Sequence, residues 1–131
     1  GGDEVYPLPV FGIENGKLPS HYSRTYVEAA QLMPETPRMT DAQWEALDLL
    51  AETAAELAYA MMLKPGDIQL INSHITYHAR AAFEDDAASG HARLLHRLWL
   101  TMPNSRALPA DHAVLWKNIA AGARRGGIAV T

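Results

Sequence analysis

The sequence predicts a mainly β chain with flanking helices. Three observations point there: aliphatic, β-branched and aromatic runs at 68–72, 74–78 and 92–100, tight-turn signals between elements, and one strong helical period that begins at Thr40. Turn-linked strands with one packed helix suggest a largely antiparallel arrangement.

The first stretch, 5–12, holds Pro7 and Pro9, which forbid helix and favour an extended edge position. Asn15-Gly16 then signals a turn. Residues 23–33 read as a short helix or strand, and Pro34 and Pro37 as a loop. Thr40 with Gln43 fits a capping box, and Asp41 suits the positive end of the helix that follows. Trp44, Leu47, Leu50, Ala51, Ala54, Leu57 and Ala58 mark its apolar face, with Glu45, Asp48, Glu52 and Glu56 as a solvated opposite face. Beyond it the period changes. Residues 60–63 read as a strand, Lys64-Pro65-Gly66-Asp67 as a tight turn, 68–72 as a second strand and 74–78 as its continuation. Residues 84–90 form a polar loop, 92–100 a further strand, and 113–123 a terminal helix ended by Arg124-Arg125-Gly126-Gly127.

Composition narrows the function classes. The chain has 131 residues, 48% hydrophobic and 20% charged, which suits one folded domain and excludes long disorder. No apolar run approaches the ~20 residues of a membrane helix, so no membrane partner is expected. Without cysteine there is no disulfide, thiolate zinc site or cysteine nucleophile. Eleven Lys and Arg against fifteen Asp and Glu, a net charge of −4, argue against a nucleic-acid partner. The start Gly1-Gly2-Asp3, without Met or a signal-peptide pattern, is expected of a processed product or a piece of something longer.

Six histidines raise the question of a metal. His74 and His78 would lie ~13 Å apart on a strand, too far to share one ion at ~2 Å ligand distances. His96 reads as a core histidine. On the last strand, alternation places Arg93, Leu95, Arg97 and Trp99 on one face and Leu94, His96, Leu98 and Leu100 on the other. Both faces carry large apolar groups, so the strand is expected to be covered on both sides. Two arginines there need anions to meet them. Structural salt bridges to Glu84, Asp85 or Asp86 would serve, and so would an anionic ligand gripped by the planar guanidinium forks. No nucleophile elbow, P-loop or dinucleotide fingerprint is present.

The run Pro65-Gly66-Asp67-Ile68, Ile71-Asn72-Ser73-His74, His78-Ala79-Arg80-Ala81-Ala82-Phe83-Glu84-Asp85, Arg93-Leu94-Leu95-His96-Arg97-Leu98-Trp99-Leu100 and Pro103 to Pro109 resembles the C-terminal motif region of the TauD/TfdA (taurine dioxygenase-like, clavaminate synthase-like) family. Weaker likeness reaches back through Ser23-Arg24-Thr25-Tyr26 and the Thr40 helix. The resemblance implies the C-terminal portion of a double-stranded β-helix, or jelly roll. It also implies an Fe(II)- and 2-oxoglutarate-dependent dioxygenase acting with O2 on a small-molecule substrate.

Residue by residue, His78 matches the distal histidine of the family's two-His-one-carboxylate iron site, a set that leaves positions open for cosubstrate and oxygen. Arg93 matches the arginine that binds the far carboxylate of 2-oxoglutarate. Arg97 matches a position that contacts an anionic substrate end in taurine-type members, with a structural role as its counterpart reading. Arg80 reads as a salt-bridge partner of the nearby acids, Asn72 and Tyr77 as packing, turn or pocket residues, and Trp99 and Trp116 as core.

Ser73 stands where the family run usually has a second Asn, and no histidine here has an acid two positions later. Residues 1–131 are therefore expected to be the C-terminal portion of one jelly-roll domain, whose N-terminal portion, the expected partner, carries His-x-Asp or His-x-Glu. The alternative is a binding or interaction module of the same fold without a complete metal site; a third reading is an assembly domain whose arginines are structural. A cytoplasmic location is expected, and a homo-oligomer is left open.

Overall fold

The computed structural model describes residues 5–82, 88, 90 and 94–125. They contain three α-helices, α1 (Arg24–Gln31), α2 (Asp41–Glu56) and α3 (Ala113–Trp116), and a 3-10 helix at Ala110–His112. The chain forms two compact units, Gly1–Val10 with Ser20–Tyr77, and Phe11–Pro19 with His78–Thr131.

In the first unit, α2 forms where its period and cap predict. Thr40 Oγ1 accepts from the Gln43 amide at 3.3 Å, and Gln43 Oε1 accepts from the Thr40 amide at 2.8 Å, so both arms of the capping box are closed. The covered stripe is narrower than the period suggests. Leu47 is buried and Trp44, Leu50 and Ala54 are half-buried, while Ala51, Leu57 and Ala58 are exposed. Residues 23–33 resolve to α1. Gln31 at its end ties down the loop that follows, donating from Nε2 to Pro37 O at 3.0 Å and accepting from the Met39 amide at 3.0 Å. The Lys64–Asp67 turn also forms, with Asp67 N donating to Lys64 O at 3.0 Å and Gly66 at φ 94°, as the third position of a type II turn requires.

The second unit centres on Leu108, His112 and Pro19, each less than 2% exposed. Asn15 (φ 51°) and Gly16 (φ 70°) make the expected turn, closed by two 3.0 Å backbone bonds between Glu14 and Lys17. Gly12 packs so closely that a Cβ there would lie 2.6 Å from Pro109 Cγ and 2.9 Å from His112 Cε1. His112 Nδ1 sits 3.0 Å from Asp111 Oδ1. Arg125 gathers the carbonyls of Arg106, Asn118, Ile119 and Ala120 at 2.6–3.1 Å, and burial lowers its pKa from the usual arginine value.

Several elements differ from expectation. The terminal helix predicted over 113–123 stops at Trp116, because Lys117 turns to φ 56° and breaks the ladder. The strand predicted over 74–78 is interrupted by a turn. Asn72 O accepts from the Ile75 and Thr76 amides at 3.1 Å, and Asn72 Oδ1 accepts from the His74 amide at 3.1 Å. An asparagine side chain that bonds the backbone two residues on favours a turn over a ladder, so the extended spacing assumed between His74 and His78 does not apply. Residues 60–63, 68–72 and 94–100 join no ladder among the described residues. His96 and Trp99, expected in a core, are exposed, Trp99 by 57%. Strand propensity is local, whereas covering a strand needs a partner, and each large aliphatic or aromatic side chain left in water forgoes about 1.5–3 kcal/mol. No helix among the described residues is long and apolar enough to cross a membrane.

Candidate functional site

The segment leading into His78 is held by a hydroxyl relay in the first unit. Ser20 is buried, its amide donates to His74 O at 2.8 Å, and its Oγ donates to Val10 O at 2.8 Å. That hydroxyl hydrogen is spent, so in the hydrogen bond between Ser20 Oγ and the Tyr77 hydroxyl the tyrosine donates. His21 N donates to Val10 O at 2.9 Å, and the Tyr22 and Tyr77 rings meet with centroids 5.9 Å apart at 59°. Tyr77, the residue before His78, is thereby pinned by partners more than fifty positions away in the chain. Ser20 carries no local signature that would single it out in the sequence.

His78 itself is exposed, as is Arg97, and both belong to the second unit. Arg93, the expected 2-oxoglutarate anchor, lies outside the described residues, as do Glu84, Asp85 and Asp86, the acids considered as its partners and those of Arg80. Arg80 is exposed. Among the described residues no group of three or more His, Cys, Asp and Glu side chains could hold a metal ion. His78 is therefore one donor, and the described residues do not fit a complete iron centre.

Two clefts lie elsewhere. One, about 450 Å³, runs along α2 between Trp44, Asp48, Leu49 and Glu52. Its acidic face is already engaged in part: Arg24 meets Glu28 at 2.7 Å and Asp48 at 2.7 Å, and its guanidinium stacks 5.0 Å from the Trp44 ring. Glu28 first, then Asp48, raise the Arg24 pKa above the ordinary arginine value. The other cleft, about 300 Å³, lies between the Glu14–Lys17 turn and residues 103–107 and mixes Glu14 with Lys17 and Arg106. Neither includes His78 or Arg97.

Comparison with known proteins supplies the class. The family described as "Taurine catabolism dioxygenase TauD, TfdA family" matches residues 5–99, and the chain belongs to this family. Among curated proteins it is similar to FR-33289 synthase of Streptomyces rubellomurinus, with 34% identity over 118 residues, 85% of this chain and 34% of the relative. The chain thus spans about a third of the length of the curated relative it matches. No solved structure matches.

Proposed function

We propose that the chain is the C-terminal portion of a jelly-roll oxygenase domain that uses Fe(II) and 2-oxoglutarate. The N-terminal portion of the same barrel would carry the His-x-Asp or His-x-Glu ligands. The reaction is the oxidative decarboxylation of 2-oxoglutarate to succinate and CO2 by O2, coupled to hydroxylation of a small organic substrate. What carries this reading is the ordered set His78, Arg93 and Arg97 within the Pro65-to-Leu100 run of a TauD/TfdA family member.

The role of each side chain follows from its chemistry. A neutral His78 imidazole offers one nitrogen donor to a metal. The Arg93 guanidinium offers parallel N–H donors to the distal carboxylate of 2-oxoglutarate, a charge-assisted pairing that a lysine cannot reproduce. Arg97, four residues on, favours a carboxylate or other anionic group on the substrate. Because the described residues do not complete an iron site, the catalytic steps belong to the assembled barrel.

The experiment is succinate formation by a polypeptide joining this chain to its N-terminal portion, supplied with Fe(II), 2-oxoglutarate and O2. Activity that is lost on chelation supports the oxygenase. A folded, assembled polypeptide that forms no succinate, while a control family member does, is instead the non-catalytic binding module.

A further inference from the structure

The Asn15-Gly16 turn combines a structural role with a reactive one. The chain holds four asparagines, and only Asn15 precedes a glycine; Asn72 and Asn104 precede serine, and Asn118 precedes isoleucine. An asparagine side chain cyclises when the backbone nitrogen of the next residue reaches its Cγ, and a glycine there, with no Cβ, obstructs that approach least. Asn15 and Gly16 are both exposed, and a Cβ at Gly16 would meet nothing within 4 Å. Among the described residues the Gly16 amide donates to no backbone carbonyl, and the Asn15 side chain makes no hydrogen bond. By contrast, Asn72 Oδ1 accepts from the His74 amide and Asn118 Oδ1 from the Ala120 amide, each at 3.1 Å.

We propose that Asn15 is a site of spontaneous modification, its side-chain amide lost through a cyclic imide with Gly16. The Gly16 nitrogen bonds to Asn15 Cγ as the Cγ–Nδ2 bond breaks, and ammonia leaves with the proton that the Gly16 nitrogen gives up. Water then opens the imide. Cleavage at the side-chain carbonyl yields aspartate; cleavage at the main-chain carbonyl yields isoaspartate, whose backbone runs through Cβ and Cγ. The ring requires the peptide between residues 15 and 16 to rotate out of the positive-φ turn, which stands at 51° and 70°. Two 3.0 Å bonds between Glu14 and Lys17 close that turn, at the surface where opening costs least. The fold therefore slows the reaction without abolishing it.

The products alter the second unit in two ways. Either one carries a carboxylate where Asn15 lines the cleft with Glu14, Lys17 and Arg106. Isoaspartate also lengthens the chain inside a two-residue turn. That breaks the Glu14–Lys17 register and loosens the next pair, Gly12 N to Pro19 O at 3.2 Å. The cleft changes charge and shape with the age of the polypeptide.

Timed peptide mapping of the 131-residue chain, kept folded at mildly alkaline pH, tests this, with isoaspartate read by enzymatic carboxyl methylation. The fragment holding Asn15 should exchange its amide for a carboxyl about tenfold faster or more than those holding Asn72, Asn104 or Asn118, which lack the glycine. In urea the rate at Asn15 should rise by about threefold or more, as the turn is lost. Asn15→Gln should abolish conversion at this position, since the longer side chain must close a larger ring. In aged protein the Lys17 amide should exchange its hydrogen faster, while α2 amides keep their protection. An Asn15 that stays intact in the folded chain while the urea-unfolded chain converts overturns the proposal. So does earlier conversion at another asparagine, or an Asn15→Gln chain that converts as fast. A Lys17 amide that exchanges at its original rate in converted protein overturns the effect on the turn.

Discussion

Tyr77 donates its phenolic hydrogen to Ser20, whose own hydroxyl hydrogen goes to Val10 O, and the residue after Tyr77 is His78. A buried serine distant in sequence therefore sets where the backbone stands as it enters the histidine. Tyr77→Phe should cost about 1 kcal/mol, the net worth of one hydrogen bond. Ser20→Ala should cost more, about 1–3 kcal/mol, because it removes two hydrogen bonds at once, leaving Val10 O with the His21 amide and the Tyr77 hydroxyl without its acceptor. In a urea-unfolding double-mutant cycle the pair should show a coupling of at least about 0.5 kcal/mol. Simple additivity would mean the contact does not stabilise the chain.

Gly12 is needed for space. Its φ is not positive, but the Pro109 and His112 side chains stand within 3 Å of where a Cβ would be. Gly12→Ala should destabilise the second unit by about 1–3 kcal/mol through overpacking, read from chemical denaturation. Gly12→Ala with Pro109→Ala should recover part of that loss, since one of the two clashing groups is gone.

The Thr40–Gln43 box fixes where α2 begins. Thr40→Ala should lower stability by about 1 kcal/mol, and Thr40→Ser should not. Amide exchange in the first turn of α2 should accelerate in the alanine variant and remain normal in the serine variant.

In the assembled oxygenase the two arginines should separate kinetically. Arg93→Lys should raise the KM for 2-oxoglutarate by about tenfold or more, because a point charge replaces a two-pronged donor. Arg97→Ala should weaken the organic substrate instead, leaving succinate formation in its absence near the parent value. Equal effects on both parameters would assign Arg97 to the cosubstrate.

Much of the local structure was legible in the sequence. The capping box, the Asn15-Gly16 turn and the Pro65-Gly66 turn all depend on residues within four positions of one another, and all three form. The β-branched run 74–78 signals a strand, whereas the Asn72 side chain bonds the backbone two residues on and makes a turn there. Lys117 at φ 56° and the burial of His112 had no local signal, and the burial of His112 is settled by packing in the second unit. The exposure of His96 and Trp99 has the same origin. Alternation says which residues share a face of a strand, and it cannot supply the neighbour that covers that face. At the site, the order of His78, Arg93 and Arg97 was legible, and the role of Ser20 was not.

The most direct test of the central claim is 2-oxoglutarate-dependent succinate formation by the assembled protein before and after His78→Ala, with iron content measured on both. The variant, with α2 and the Ser20–Tyr77 contact intact, should lose bound Fe(II) and lose succinate formation by about a hundredfold or more. A folded His78→Ala protein that retains its iron and its turnover would contradict it.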